Sequence, residues 1–272
     1  PDASVLERTT MFHTDAVLCG ISAVALNTNA PVILRAEAAE YPAAKGATVF
    51  GSNQKVAAEK AIVANSNAVR EWDSNGTNFG FNPTLGHTAG EFGHNDFYPV
   101  AVAAAQQQGR DGAYALRGMI CIDEIRGRLA EVFSLKTYKI DHVVHGAIAS
   151  AAVYGAMLGA SADEIESAIG MFVAHAIPWR AIRAGKQLSD SKGASAAIST
   201  HRRSPSLAIA VALCGSGSYL FPPWNLGSPP SRGWGGQADP GLTDDAASCH
   251  PAVGSGRQGS QGSRNTPPHP GP

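Results

Sequence analysis

The sequence predicts an all-α fold, a bundle of helices, on three observations. Ile120, Ile122, Ile125, Leu129 and Val132 recur at roughly helical spacing in the segment 112–133. Segment 143–158, ending HGAIASAAVYGAML, is rich in small residues and suits helices that pack closely. Ser161-Ala-Asp-Glu164 is a capping box, in which the Ser hydroxyl and the Glu carboxylate satisfy free N–H groups at a helix start.

The elements follow in order. Residues 9–27 read as a buried helix, which Asn27 and Asn29 end before Pro31. Segment 32–40 reads as a short helix stopped at Tyr41-Pro42, and 47–50 as a brief extended piece. Segment 54–70 predicts a helix with a mixed face set by Val56, Lys60, Ile62, Val63 and Ala64. A long loop, 71–95, rich in Gly, Asn, Thr and His, comes next; loops of that length are usually functional or disordered. Helices are then predicted over 96–107, 112–133 and 143–158, and from the capping box to about His175, where Pro178 stops the run. One more is expected to begin over 191–200. No internal repeat is visible.

Composition bounds the function. The 272 residues are 44% hydrophobic, 16% charged and 7% aromatic, with a formal net charge of −1. That balance gives no footprint for nucleic acid or for an anionic membrane surface. No apolar run approaches the ~20 residues of a membrane helix. The chain opens at Pro1 with neither an initiator Met nor a cleavable leader, so further residues are expected upstream. Cys19, Cys121, Cys214 and Cys249 form no C-x-x-C pair and are expected to be buried reduced thiols.

Character changes near residue 200. Over 201–272 Gly and Pro make up about a third of the residues, and Lys and Glu are absent. Runs such as SPPSRGWGGQ carry no apolar period that could bury a core; only 207–213 could extend an element. Two domains are therefore expected: 1–200, helical, and 201–272, a low-complexity tail. The tail is either disordered or the translation of GC-rich DNA in a wrong frame.

Three constellations could do chemistry. The long loop holds Asp73, Thr77, His87, Glu91, His94 and Asp96, acids, a hydroxyl and imidazoles in one stretch, able to move protons near neutral pH. A solvated loop with ordinary caps is the alternative. D-H-V-V-H (Asp141–His145) sets His142 and His145 on one helix face, a spacing that suits a metal but more often joins one functional to one structural imidazole. In W-R-A-I-R-A-G-K-Q-L-S-D-S-K-G (Trp179–Gly193), Arg180, Arg183, Lys186 and Lys192 suit a polyanionic small molecule, because guanidinium groups chelate carboxylates; a solvated basic loop is the alternative. Phosphate-loop, dinucleotide, nucleophile-elbow and zinc signatures are absent. An iron–sulfur dehydratase needs three or four thiolates, and the helical part offers only Cys19 and Cys121.

The strings EWDSNGTNFGFNPTLGHTAGEFGHNDFYP, KTYKIDHVVHGAIASAAVYGAMLGAS and IPWRAIRAGKQLSDSKGASAAIST resemble the MmgE/PrpD family, in the wording of its fungal-type members. The resemblance covers roughly 10–200 and stops at His201. It implies the family's helical-bundle domain, incomplete, with the smaller α/β lid domain absent. It implies a lyase without cofactor or metal that eliminates water from 2-methylcitrate to give 2-methyl-cis-aconitate, a step of propionate breakdown. Relatives that dehydrate citrate or decarboxylate cis-aconitate are the alternatives within the family. An inactive truncated chain or a structural partner is the alternative outside catalysis.

Matched residue by residue, the family's D-x-x-x-T element falls on Asp73 and Thr77, and its G-H element on His94. The stretch between them is longer here than in bacterial members. The R-x-x-R element and its following Lys fall on Arg180, Arg183 and Lys192. D-H-V-V matches at His142, although His145 could take that part. The expected roles are proton transfer for His94 and His142, and carboxylate clamping for Lys192, Arg180, Arg183 and Lys186. Asp73 would orient an imidazole or bind the hydroxyl, and Thr77 would hydrogen-bond substrate. The resemblance also implies a homodimer, a small tricarboxylate as the substrate, and a mitochondrial matrix location in a eukaryote or a cytoplasmic one otherwise.

Overall fold

In the computed structural model, residues 1–74, 76–79, 84, 91–93, 95–132, 134–179 and 197–198 are described. Seven helices carry the fold among them: α1 Ala3–Ala25, α2 Asn29–Ala39, α3 Ala58–Arg70, α4 Tyr98–Gln107, α5 Gly112–Val132, α6 Val143–Leu158 and α7 Ala162–His175. The helical class read from the sequence is the class observed. Two small antiparallel hairpins accompany the helices: β1 Pro42–Thr48 with β2 Lys55–Val56, and β3 Thr77–Phe79 with β4 Glu91–Gly93. The first replaces the expected brief extended piece, and moves the start of α3 from Gln54 to Ala58. The second lies inside the stretch read as loop. Neither shows in the periodicity: β2, β3 and β4 have two or three residues each, and the seven of β1, PAAKGAT, do not alternate apolar with polar.

Local chemistry explains most helix limits. Asn27 takes a left-handed φ of 53° and ends α1, as its residue type allows. Pro31 falls in the first turn of α2, where a missing N–H is harmless. Pro99 does the same service in α4. At α7 both halves of the capping box form: Ser161 N–H donates to Glu164 Oε2 (2.7 Å), and Glu164 N–H donates to Ser161 Oγ (3.3 Å). The reading of α1 as a buried helix is corrected. Only Thr9, Ala16, Gly20 and Ala23 are buried, while Met11, Leu18 and Ile21 are exposed. Apolar residues spread over several sides of a helix do not say which stripe finds a partner.

The main core lies between α3, α4, α5 and α6 and is largely alanine, with Ile62, Val69, Tyr98, Met119, Ile122 and Val153 as its larger members. A smaller cluster, Leu135, Val144, Ala147 and Phe172, joins α6 to α7. Close approach is the point of the small residues. A Cβ on Gly118 would stand 2.6 Å from Met157 Sδ and 3.0 Å from the Ala101 Cβ, so α5 meets α4 and α6 there only without a side chain. Polar ties cross the same interfaces: Tyr114 Oη donates to Met157 O (3.0 Å), and Tyr154 Oη to Gln107 Oε1.

The expectation of buried thiols fails at Cys121, which is exposed on α5; Cys19 is half-buried, and both are free. Among the described residues no single helix is long and apolar enough to cross a membrane; α1 and α2 reach that length only as a pair broken by 90°. The tail 201–272, the 207–213 element and nearly all of the helix expected over 191–200 lie outside the described residues.

Candidate functional site

Helix α3 delivers the first group. Ile62, Ser66 and Arg70 follow one another every four residues down a buried stripe, so the helix ends with a guanidinium pointing inward. The chain then turns sharply: Asp73 N–H donates to Arg70 O at 2.9 Å, and Asp73 adopts a left-handed φ of 52°. Its carboxylate Oδ1 stands 3.1 Å from Arg70 Nη2. The other arm of the same guanidinium, Nη1, reaches Asp96 Oδ2 at 3.4 Å. Arg70 and Asp96 are sealed, at 2% and 0% side-chain exposure, whereas Asp73 is 30% exposed.

Directly after Gly76 comes β3, which pairs with β4 as a hairpin. Its register pairs Thr77 with Gly93, Asn78 with Phe92 and Phe79 with Glu91. The backbone of Thr77 therefore lies opposite the residue that precedes His94. His94 itself lies outside the described residues, as do His87, Arg180, Arg183, Lys186 and Lys192. On the far side of His94 the chain is fixed again. Asn95 Nδ2 donates to Phe12 O of α1 (3.2 Å), and Asn95–Phe97 forms a 3-10 turn that leads into α4.

The second histidine-bearing segment meets this turn. The Phe97 ring packs against α6 at Gly146, where a Cβ would stand 2.3 Å from Phe97 Cε2. Arg126 of α5 stacks on the same ring, 4.8 Å from its centroid. One turn before Gly146, α6 begins. Asp141, fully buried, accepts from Val143 N–H through Oδ1 (3.1 Å) and so caps the helix. The same Oδ1 stands 3.5 Å from His142 Nδ1. A carboxylate beside Nδ1 favours a proton on that nitrogen and restrains the ring.

His142 and His145 differ in access. The side chain of His142 is 11% exposed. His145 is 2% exposed, and burial, with Arg126 alongside, holds its imidazole down at about 4. Its imidazole therefore stays neutral across the physiological range. Beneath them runs a buried polar layer. Tyr98 Oη donates to Asp123, Arg126 Nη1 stands 3.6 Å from Asp123 Oδ1, and burial pushes both Tyr98 and Asp123 toward their neutral forms.

The basic segment is tied to the same place by its first residues. Asp141 N–H donates to Pro178 O (3.0 Å), and Ile140 bridges to Trp179. Trp179 immediately precedes Arg180, so that element departs from beside the Asp141–His142 turn. Among the described residues no three metal-ligating side chains converge on one point.

Sequence reasoning passed over Arg70 and gave Asp141 no role. Arg70 had a signal: an arginine in step with Ile62 and Ser66 on a helix whose mixed face had been noted. Asp141 had one too, an Asx residue two before the first helical residue, whose N–H it accepts. What spacing could not show is that Phe97, far away in sequence, would sit on Gly146 and so join the two histidine-bearing segments.

The sequence model of the MmgE/PrpD N-terminal domain matches residues 1–208. Asp73, Thr77, His94, His142, Arg180, Arg183, Lys186 and Lys192 all fall inside that span.

Proposed function

The chain belongs to the MmgE/PrpD family, which includes dehydratases and other lyases, and from that membership we propose a 2-methylcitrate dehydratase-like hydro-lyase. The observation that supports it most directly is the meeting of the Asn95–Phe97 turn with α6 through Phe97 and Gly146. It brings the segment that carries His94 against the helix that His142 begins, with the chain leading to Arg180 alongside.

The reaction asks for two proton positions and for positive charge. A base takes the poorly acidic C–H proton beside a carboxylate, the electron pair forms the C=C bond, and the neighbouring C–O bond breaks. An acid protonates the departing hydroxide, so that water leaves. His94 and His142 are the proposed pair, and Asp141 holds the His142 ring in one orientation. Arg180, Arg183, Lys186 and Lys192 are proposed to hold the carboxylates and to stabilise the charge that builds on them in the transition state. Asp73 and Thr77 are proposed to meet the substrate hydroxyl. Following the family resemblance, the step is proposed to need no metal.

The test is turnover of 2-methylcitrate by the full chain, with chelator present, followed by the ultraviolet absorbance of the unsaturated acid. Chelator-resistant growth of absorbance is the expected result. Turnover of citrate alone, or carbon dioxide release from cis-aconitate, would move the assignment to another member activity of the family. A helical sample that converts none of the three acids would leave a chain without this chemistry.

A further inference from the structure

We propose that Arg70 is a positioning residue of this site, whose single guanidinium ties Asp73 to Asp96 and so fixes both ends of the segment that carries Thr77 and His94. The inference rests on the functional reading above. Nη2 reaches Asp73 at 3.1 Å and Nη1 reaches Asp96 at 3.4 Å. The Arg70 carbonyl takes the Asp73 N–H as well, at 2.9 Å. Asp73 sits in the left-handed region, a conformation that needs local support.

The chemistry of the fork is what allows this. A guanidinium presents N–H groups on two sides of a rigid plane, so one side chain serves two carboxylates that approach from different elements. An ammonium is a point charge and serves one. Asp96 is fully buried behind Arg70, while Asp73 retains partial access to solvent. The sealed carboxylate therefore anchors the cation, and the cation orients the accessible carboxylate. Between the two anchors, Thr77 pairs with Gly93, so the register of β3 on β4 is set at the ends that Arg70 holds.

The test is Arg70→Lys in the full chain, which keeps a buried positive charge and loses the fork. Two readings are taken: amide hydrogen exchange by peptide, and steady-state turnover of 2-methylcitrate. Exchange is expected to quicken over residues 71–79 and to stay unchanged in α5 and α6. Turnover is expected to fall at least roughly tenfold in kcat, with KM moving far less, since misplacement of a reacting group by about 1 Å is worth more than that. Adding Asp96→Asn is not expected to restore kcat, because the ammonium then serves Asp73 alone and the Asp96 end of the segment stays untied.

Wild-type exchange and turnover in Arg70→Lys would overturn the proposal. Exchange loosened through α5 and α6 together, with activity lost in step with the folded fraction, would also overturn it and leave Arg70 a stabilising residue only. If Arg70→Lys does not fold, the double variant with Asp96→Asn is read against Asp96→Asn alone by the same two measurements. If the wild-type chain turns over no acid, the functional reading has failed separately. The exchange pattern then decides on its own: local loosening keeps Arg70 as the tie between the segment ends, and its absence removes it.

Discussion

His142 and His145 are three residues apart and meet opposite environments. Asp141 Oδ1 lies 3.5 Å from the His142 ring, which keeps some access, whereas His145 is shut into the interior beside Arg126. Replacing His142 by Asn should therefore lower kcat by at least about 10²-fold, a general acid–base magnitude, with the circular dichroism of the folded chain retained. Turnover within a few-fold of wild type would pass the proton to another group. Gly146 is as demanding sterically. Gly146→Ala sets a Cβ 2.3 Å from the Phe97 ring, and neither α6 nor the turn before α4 can yield without moving a histidine-bearing segment. The variant should lose roughly 1–3 kcal/mol of stability, measured by urea unfolding, and it should lose turnover beyond its unfolded fraction.

At the scale of elements, α6 and α7 were legible to the residue. The capping box at Ser161, the small-residue run and Pro178 are local signals that act within one turn, and α7 runs from Ala162 to His175 as read. Ser161→Ala should remove the accepted bond from Glu164 N–H and cost about 1 kcal/mol, seen as a lower midpoint in thermal unfolding. The hairpins were not legible. β3 and β4 have three residues each and sit amid glycine and asparagine, so propensity argues against them. They exist where they do alongside the Arg70 tie, at the end of a helix whose start, by contrast, was displaced by a hairpin.

For the whole molecule, the buried imidazoles set a pH dependence. His145 is held at about 4 against an ordinary 6.5, and burial also lowers His13. Above pH 6.5 both native and unfolded chains carry these rings neutral. As pH falls from 6.5 toward 4 the unfolded chain binds a proton that the native His145 refuses, so the stability it contributes is lost across that window. By pH 4.5 the loss from His145 should be on the order of 2 kcal/mol relative to pH 7. Urea midpoints at pH 7 and pH 4.5, in wild type and His145→Gln, test the sign: the variant should lose less on acidification. Equal losses would mean that the ring is hydrated in the native state.

The sequence by itself determined the helical class, the limits of α6 and α7, and the residue types from which a polyanion-handling site would be built. These follow from short-range physics: apolar period, caps, proline and glycine, and the pairing chemistry of Arg, Lys, His and Asp. Only the tertiary structure decided which stripe of α1 would be covered, that Arg70 would face two carboxylates, that His145 would be sealed while His142 kept access, and that Phe97 would lie on Gly146. Each of those depends on contacts between residues distant along the chain. Burial, the shift of an imidazole and the fit of a ring on a glycine are properties of the packed neighbourhood, and no residue carries its neighbourhood in its own spacing.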